Sequence, residues 1–406
     1  METKIKFIPN GTVTSPKGFY AGATYAGINK KAKHDLDLGI LSSQAPAVAA
    51  AVFTTNRIKA APIVLCRQQL QSRKAMAVVV NSGCANASTG EQGLADATEM
   101  ARLAAKSTGL SPEDVLVSST GVIGQPLPME LIRAGIERIV LSVDGGHELA
   151  KAILTTDTVP KETAVAVRID GNNFTIGGVA KGSGMIHPKL ATMLCFLTTD
   201  AAVAPDFLKV ALKKAVDISF NMISVDGDTS PNDMVLIMAN GLATEKEPFS
   251  QDNRQADGFQ QALDKVCTYL AKSIASDGEG ATKLIEVTVN GAPSIAEARL
   301  AAITVVGSPL VKAAVHGSDP NWGRIIAAVG RSGVEVVESK IDLYLGDICL
   351  VRKGRPLSFN KQSAVRILEK TEVPISLNIN LGTATATAWG CDLSEEYVTI
   401  NSQYTT

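Results

Sequence analysis

Near the middle of the chain two β-branched runs, Val165–Ile169 and Phe174–Val179, flank Asp170-Gly171-Asn172-Asn173. A turn of this composition between alternating runs is a strong short-range signal for an antiparallel hairpin. The pairing excludes a sheet built only from parallel strands. Helical spacing recurs on both sides of it. Glu91–Lys106 places Leu94, Ala97, Ala101 and Ala104 on one face, and Glu130–Val143, Asp206–Val216 and Phe259–Ser276 repeat the pattern. Ser111-Pro112-Glu113-Asp114 has the form of a helix start. Further strands are expected at Ala75–Val80, Val115–Ser118, Met193–Leu197, Leu284–Val289, Ile341–Val351, Ile375–Ile379 and Tyr397–Ile400. Hairpins mixed with helical connections predict α+β layers rather than a doubly wound parallel sheet.

Several function classes lack support. The 406 residues, 45% apolar and 19% charged, suit one large or two closely packed domains. A formal net charge of -1 without a Lys/Arg block gives a nucleic-acid or membrane-surface role nothing to stand on. Met1-Glu2-Thr3-Lys4 leads into no apolar region, and the uncharged stretch Leu38–Asn56 is broken by Ser, Gln, Pro and Thr, so neither a secretory signal nor a membrane span is expected. Cys66, Cys84, Cys195, Cys267, Cys349 and Cys391 are dispersed without a C-x-x-C, which predicts free thiols in the cytoplasm. His34, His147, His187 and His316 have no partner at ligand spacing, so no metal centre is expected and the histidines are read as structural. No G-x-S-x-G occurs, and Gly177, Gly178, Gly182 and Gly184 are wrongly spaced for a phosphate loop. Asp226–Ser230 and Asp319–Arg324 miss the EF-hand spacing and read as turns supporting a site.

One segment is poorly explained by packing. Lys181-Gly182-Ser183-Gly184-Met185-Ile186-His187-Pro188-Lys189-Leu190-Ala191-Thr192 runs from a strand through a Gly- and Pro-rich turn into the buried strand at Met193. A Thr opening a strand after a tight turn can be purely structural. It can equally be a nucleophile that attacks the carbonyl of the small residue before it. Cleavage would then free an α-amine, which titrates near 7.7–8.0 in model compounds and can deprotonate the adjacent hydroxyl without any His. The local pattern leaves both readings open.

The run Lys181–Leu194 resembles the signature of the bifunctional glutamate N-acetyltransferase/ornithine acetyltransferase family of arginine biosynthesis. Asn81–Ala87, Ser119–Gly124, Thr155–Thr158, Ser224–Ser230, Gly317–Arg324 and Tyr397–Asn401 resemble the same family in the same order, with Cys84 departing from its usual Asn. The resemblance implies a layered αββα-like sandwich shared with self-processing aminopeptidases. It implies cleavage between Ala191 and Thr192, giving an α chain of residues 1–191 and a β chain of 192–406, interwoven as one catalytic unit and assembled as an α2β2 heterotetramer. Thr192 would be the nucleophile, Thr120 and Gly121 the oxyanion hole, and Thr155, Lys181, Thr192, Glu279, Asn401 and Thr406 the substrate-binding residues. The implied reaction moves acetyl from N2-acetyl-L-ornithine to L-glutamate through an ester on Thr192, without a cofactor; in a bifunctional member acetyl-CoA is a second acyl donor. A self-processing aminopeptidase or amidase of the same superfold is the alternative, and a non-catalytic amino-acid-binding protein that never cleaves is the rival from outside the enzymes.

Overall fold

The computed structural model describes residues 3–29, 36–169, 171–187, 193–243, 248–251 and 255–403. Three sheets organise the described residues. The first has the order β1 (Thr3–Phe7), β7 (Lys161–Ile169), β8 (Asn172–Lys181), β9 (Leu194–Thr199), β11 (Met234–Ala239), β4 (Val48–Phe53). The second is β2 (Phe19–Thr24), β3 (Leu38–Ser43), β5 (Ala77–Asn81), β6 (Val115–Ser119). The third is β10 (Ile223–Ser224), β17 (Ala384–Cys391), β12 (Leu284–Ala292), β16 (Glu372–Asn378), β13 (Asp342–Leu345), β14 (Ile348–Arg352), β15 (Arg355–Pro356).

Side-chain alternation along the strands dictates how these sheets stack. In β9, Leu194 and Phe196 face one way and pack with Phe19, Leu41, Val78 and Val80 of the second sheet. Cys195 and Leu197 face the other way, against Phe207, Phe259, Leu263 and Val266 from the helices Pro205–Ile218 and Ala256–Ser276. The second sheet turns Ile40, Val79 and Val117 outward to Ala97, Met100, Ala101 and Ile132 of the helices Gly90–Thr108 and Met129–Ile136. The order of layers is therefore helix, sheet, sheet, helix, as the αββα expectation requires. Burying a residue such as Phe196 in this double core stabilises the fold by about 3 kcal/mol. The third sheet flanks the sandwich, covered by the helix Ile295–Val306. Among the described residues no single helix is long and apolar enough to cross a membrane.

The expected hairpin forms, with Val165 opposite Ile176 and Val167 opposite Phe174, but its turn is tighter than the four residues expected, because Asn172 and Asn173 already pair with Ile169 and Arg168. Four further expectations need correction. Leu94 is 40% exposed, and the buried face of its helix runs through Ala97, Met100, Ala101 and Ala104 instead. The helix beginning at Met129 stops at Ile136, because Ser142 is held extended by two backbone hydrogen bonds to Ala21, at 2.8 and 3.0 Å. Ile341–Val351 is a pair of antiparallel strands rather than one, turned at Gly346, whose φ of 57° favours glycine. Tyr397–Ile400 lies within the helix Glu395–Gln403 rather than a strand. Glu395 and Glu396 in its first turn offset the positive end of the helix dipole, and a hydrogen bond from Asn401 to Glu279 holds its far end.

Candidate active site

A cleft of about 410 Å³ opens where β6 and β8 end, and it gathers the residues that sequence had scattered. Thr120, Gly121, Thr155, Lys181, Glu279 and Asn401 all line it. Ala191, Thr192 and Thr406 lie outside the described residues, as does His34.

Thr120 and Gly121 follow directly on β6. The Thr120 amide donates to the Asn81 carbonyl at 3.0 Å, and the Val122 amide to the Gly83 carbonyl at 3.3 Å. Between these two anchors Gly121 adopts a φ of 128°, and a Cβ there would sit 2.3 Å from the Gly83 carbonyl carbon. Only glycine allows this approach. Among the described residues no acceptor engages the Gly121 amide, which leaves an N–H beside the Thr120 hydroxyl at the cleft wall. The pair has the composition of an oxyanion hole.

Lys181 closes β8 and is 2% exposed. Its ammonium donates to Thr155 Oγ1 at 2.8 Å and stands 3.6 Å from Asp157. Behind it runs a buried ion chain: Lys161 Nζ lies 2.7 Å from Asp157 Oδ1 and 2.6 Å from Asp277 Oδ2. Asp157 also accepts from the Gly182 amide at 2.6 Å and the Thr155 amide at 3.2 Å. Burial would raise the Asp157 carboxyl, but Lys161 and Lys181 outweigh it and hold the group well below the usual carboxylate range. The chain thus fixes three adjacent parts of the site, namely the Thr155 loop, the Lys181 ammonium and, through Asp277, the segment bearing Glu279.

Glu279 is 6% exposed. Its amide donates to the Ser183 carbonyl at 2.8 Å, and its carboxylate accepts from Asn401 Nδ2 at 2.7 Å. Gly184 lies directly beneath it, where a Cβ would come 2.5 Å from the carboxyl atoms. The last helix is therefore docked into the cleft by Asn401, not frayed away from it. Asp226 and Asp228 add two more acids to the lining. Asp226 accepts from the Met185 amide at 2.6 Å and the Ile186 amide at 2.9 Å, which fixes the loop leading toward residue 188. Burial raises the Asp226 carboxyl, and the charge of Glu279 adds to the rise. Burial also drives the Tyr397 phenol up, reinforced by Asp226, Glu279 and Asp228. Among the described residues, three acids and one lysine line the cleft, a combination that favours a substrate carrying both a carboxylate and an ammonium.

Sequence reasoning missed Asn232 and Asp233. Asn232 Nδ2 donates to the Ala85 carbonyl at 2.6 Å and the Ser119 carbonyl at 2.8 Å, tying the start of β11 to the oxyanion wall. Asp233 is fully buried and accepts from the Met193 amide at 3.0 Å. No motif marks either residue. The only available hint was a polar Ser-Pro-Asn-Asp run immediately before the apolar strand at Met234. Asp226–Ser230, read as supporting turns, form part of the lining itself, whereas Asp319–Arg324 do not line this cleft. His147 is hydrogen-bonded to Glu162 at 3.0 Å, His187 to Ser224 at 3.1 Å and His316 to Asp392 at 2.7 Å, in keeping with structural roles. Cys84 is buried with its thiol on the Gln125 carbonyl at 3.3 Å, and burial raises its pKa. Among the described residues no group of three or more His, Cys, Asp or Glu is arranged to hold a metal ion.

Comparison with known proteins gives concordant results. A model of the ArgJ family matches residues 20–406. The arginine biosynthesis bifunctional protein ArgJ of Dehalococcoides mccartyi is 54% identical over 406 residues, covering 100% of both chains. Its namesake from Symbiobacterium thermophilum is 52% identical over 98% of this chain and 99% of that one. A crystal structure of the corresponding protein from Bacillus halodurans is 48% identical, with a TM-score of 0.50, and the match covers 51% of this chain and 97% of that chain.

Proposed function

The chain belongs to the ArgJ family, and on that premise we propose how its cleft carries out the acetyl transfer of arginine biosynthesis. Acetyl passes from N2-acetyl-L-ornithine to L-glutamate in two half-reactions that share one pocket. Thr192 Oγ attacks the acetyl carbonyl while the Thr192 α-amine takes its proton. The Gly121 amide and the Thr120 hydroxyl receive the charge on the carbonyl oxygen, a donor of this kind contributing about 3–4 kcal/mol of transition-state stabilisation. Lys181 binds the substrate carboxylate with Thr155 beside it. Glu279, held by Asn401, pairs with the ammonium that ornithine carries, and Thr406 completes the binding set. Ornithine leaves, glutamate enters, and its amine takes the acetyl group from the ester.

The observation that carries this reading is the convergence on one cleft of six residues spread from position 120 to 401. The amine exists only after cleavage between Ala191 and Thr192, giving chains 1–191 and 192–406. Strands from both sides of that bond share the first sheet, with β8 beside β9, which supports two chains held together as one catalytic unit. The solved Bacillus halodurans chain, which only 51% of this chain matches, is of the length expected of one product of such a break. We further assign the mature protein to an α2β2 heterotetramer in the cytoplasm that needs no cofactor, with acetyl-CoA as an additional acyl donor. The relatives' names favour transfer over the aminopeptidase alternative.

N-terminal sequencing of the active protein should find a fragment beginning Thr192-Met193-Leu194. Thr192→Ala should abolish both cleavage and transfer, and Thr192→Ser should retain part of each. Transfer surviving in the Ala variant would overturn the mechanism. Parallel assays of N-acetylornithine plus glutamate and of acetyl-CoA plus glutamate separate the two donors.

A further inference from the structure

The turn that carries Glu279 is held at both ends. The Ala281 amide closes it on the Gly278 carbonyl at 2.8 Å, and Gly280 takes its third position at a φ of 70°, which favours glycine. Before the turn, Asp277 is fixed by Lys161. After it, Thr282 and Lys283 meet a second buried carboxylate, Asp392, which is 2% exposed. Asp392 accepts from the Thr282 amide at 2.8 Å, the Thr282 hydroxyl at 2.6 Å and the Lys283 amide at 2.9 Å, and His316 Nδ1 stands 2.7 Å away. Burial would raise the Asp392 carboxyl, but the hydrogen bonds from Thr282, His316 and the Lys283 amide outweigh it and hold the group below its ordinary value. An ionised carboxylate only accepts, so Nδ1 is the ring nitrogen that carries the hydrogen.

The stretch after Asp392 opens the last helix. Ser394 Oγ donates to the Gly280 carbonyl at 2.6 Å, and a Cβ on Gly280 would come 2.6 Å from the Tyr397 nitrogen, so the first turn of Glu395–Gln403 lies directly on the Glu279 turn. Farther along the same helix, Asn401 returns to the Glu279 carboxylate. Asp392 thus stands at the root of both the acid and its amide partner. Behind it lies the helix Pro309–His316. Lys283 Nζ donates to the last carbonyls of that helix, Val315 at 2.8 Å and His316 at 3.1 Å, where the dipole favours a cation, and to Ser318 Oγ at 2.9 Å. The buried Lys312 ammonium donates to the Cys391 carbonyl, one residue before Asp392. Ser318 belongs to the run Gly317–Arg324, which does not line the cleft, and its contact with Lys283 ties that run to the Glu279 side of the site. The oxyanion wall hangs instead from β5 and β6.

We propose that His316 and Asp392 are positioning residues for recognition of the substrate's ammonium. Together they fix the trailing end of the Glu279 turn and the start of the helix bearing Asn401. Glu279 and Asn401 then meet the δ-ammonium of N-acetylornithine in one arrangement, set before substrate arrives. Neither positioning residue touches substrate, and both act from the third sheet, away from the wall that receives the carbonyl oxygen. Their loss therefore weakens binding of the ammonium and leaves the chemical step in place. The inference rests on the pairing of Glu279 with that ammonium in the functional reading above.

The test compares two acyl donors with glutamate as acceptor: N-acetylornithine, and N-acetylnorvaline, which has the same carbon chain without the ammonium. His316→Phe removes the donor to Asp392. Its kcat/KM for N-acetylornithine should fall about tenfold through KM, with kcat and the norvaline kcat/KM each within about twofold of wild type. If the norvaline donor turns over too slowly to follow, its inhibition constant against N-acetylornithine takes the place of its kcat/KM. His316→Asn sets an amide N–H near the place of Nδ1 and should recover most of the loss. A defect of folding alone would lower both donors alike. Equal losses for the two donors, no loss for either, or a His316→Asn as impaired as His316→Phe overturns the proposal. If His316→Phe does not fold, by its melting curve, Asp392→Asn decides, the same split between donors upholding the proposal and its absence overturning it. A wild type that moves no acetyl from N-acetylornithine defeats the functional reading instead, whereas an active wild type whose variants do not separate the donors defeats this inference alone.

Discussion

Lys161→Met isolates the buried ion chain behind the cleft. In the native protein the Lys161 ammonium is 1% exposed and sits between Asp157, 0% exposed, and Asp277, 8% exposed. Methionine preserves the volume of the side chain and deletes its charge, leaving two carboxylates short of their shared cation. Removing one partner of a buried pair costs about 3–5 kcal/mol, because the group left behind stays desolvated and unmatched. Asp157 retains Lys181 at 3.6 Å and the amides of Gly182 and Thr155, while Asp277 retains the Thr158 amide at 3.0 Å. These contacts place the expected loss at the lower end, about 3 kcal/mol, still a sizeable part of a typical total of about 5–15 kcal/mol.

Urea unfolding followed by tryptophan fluorescence measures the loss, and pH identifies its origin. The folded Asp157 carboxyl titrates below its unfolded value of about 3.9. Its contribution is therefore fully present above that value and disappears as pH falls through the folded one. In Lys161→Met the folded carboxyls titrate higher and can take up protons, so the gap between variant and wild type should be widest at pH 7 and narrow toward about pH 4. The variant should also raise KM, since Asp157 would then draw Lys181 away from Thr155 and the substrate carboxylate. A loss below about 1 kcal/mol at pH 7, or one that does not change with pH, would refute the assignment of these contacts as ionised pairs.

Two glycine substitutions address the cleft itself. Gly121→Ala sets a Cβ 2.3 Å from the Gly83 carbonyl carbon at a φ of 128°; thermal melting should show a loss of about 1–3 kcal/mol, and kcat should fall by about 10²-fold or more as the amide is displaced. Gly184→Ala drives a methyl to within 2.5 Å of the Glu279 carboxyl, a flexible neighbour that can shift. The melting temperature should hold while KM for N-acetylornithine rises about tenfold or more, the consequence of losing a charged contact of about 1.5–3 kcal/mol; an unchanged KM would remove Glu279 from the binding set.

The layers were legible in sequence because alternation in the central hairpin and apolar spacing in the long helices such as Ala256–Ser276 are imposed by burial itself. The misread elements are those fixed by distant partners. Tyr397-Val398-Thr399-Ile400 has β-branched composition, but Asn401 must reach Glu279, 122 positions earlier, and a helix delivers it there. The apolar spacing after Ile136 continues in sequence, yet pairing of Ser142 with Ala21 ends the helix. The site divides in the same way. Thr120, Gly121 and Lys181 were reached because they lie in runs that resemble the family's, in each of which a glycine follows a strand, whereas Asn232 and Asp233 acquire their roles only once β11 lies beside β9.

The same strand arrangement explains why a break at Ala191–Thr192 would activate the molecule without dismantling it. β8 and β9 are antiparallel neighbours in register from Lys181 opposite Leu194 to Ile176 opposite Thr199. A cut in the loop joining them removes no ladder hydrogen bond. β9 is bonded on its other side to β11, in register from Leu194 with Met234 to Thr199 with Ala239, and it is buried along its whole length. The residue after the new terminus is held at both polar backbone atoms, its amide by Asp233 at 3.0 Å and its carbonyl by the Met234 amide at 3.2 Å. A chain end is ordinarily the freest part of a protein. Under the proposed cleavage the anchor at Met193 stands one residue from the new chain end, which would lower the entropy cost of positioning a general base there before substrate binds.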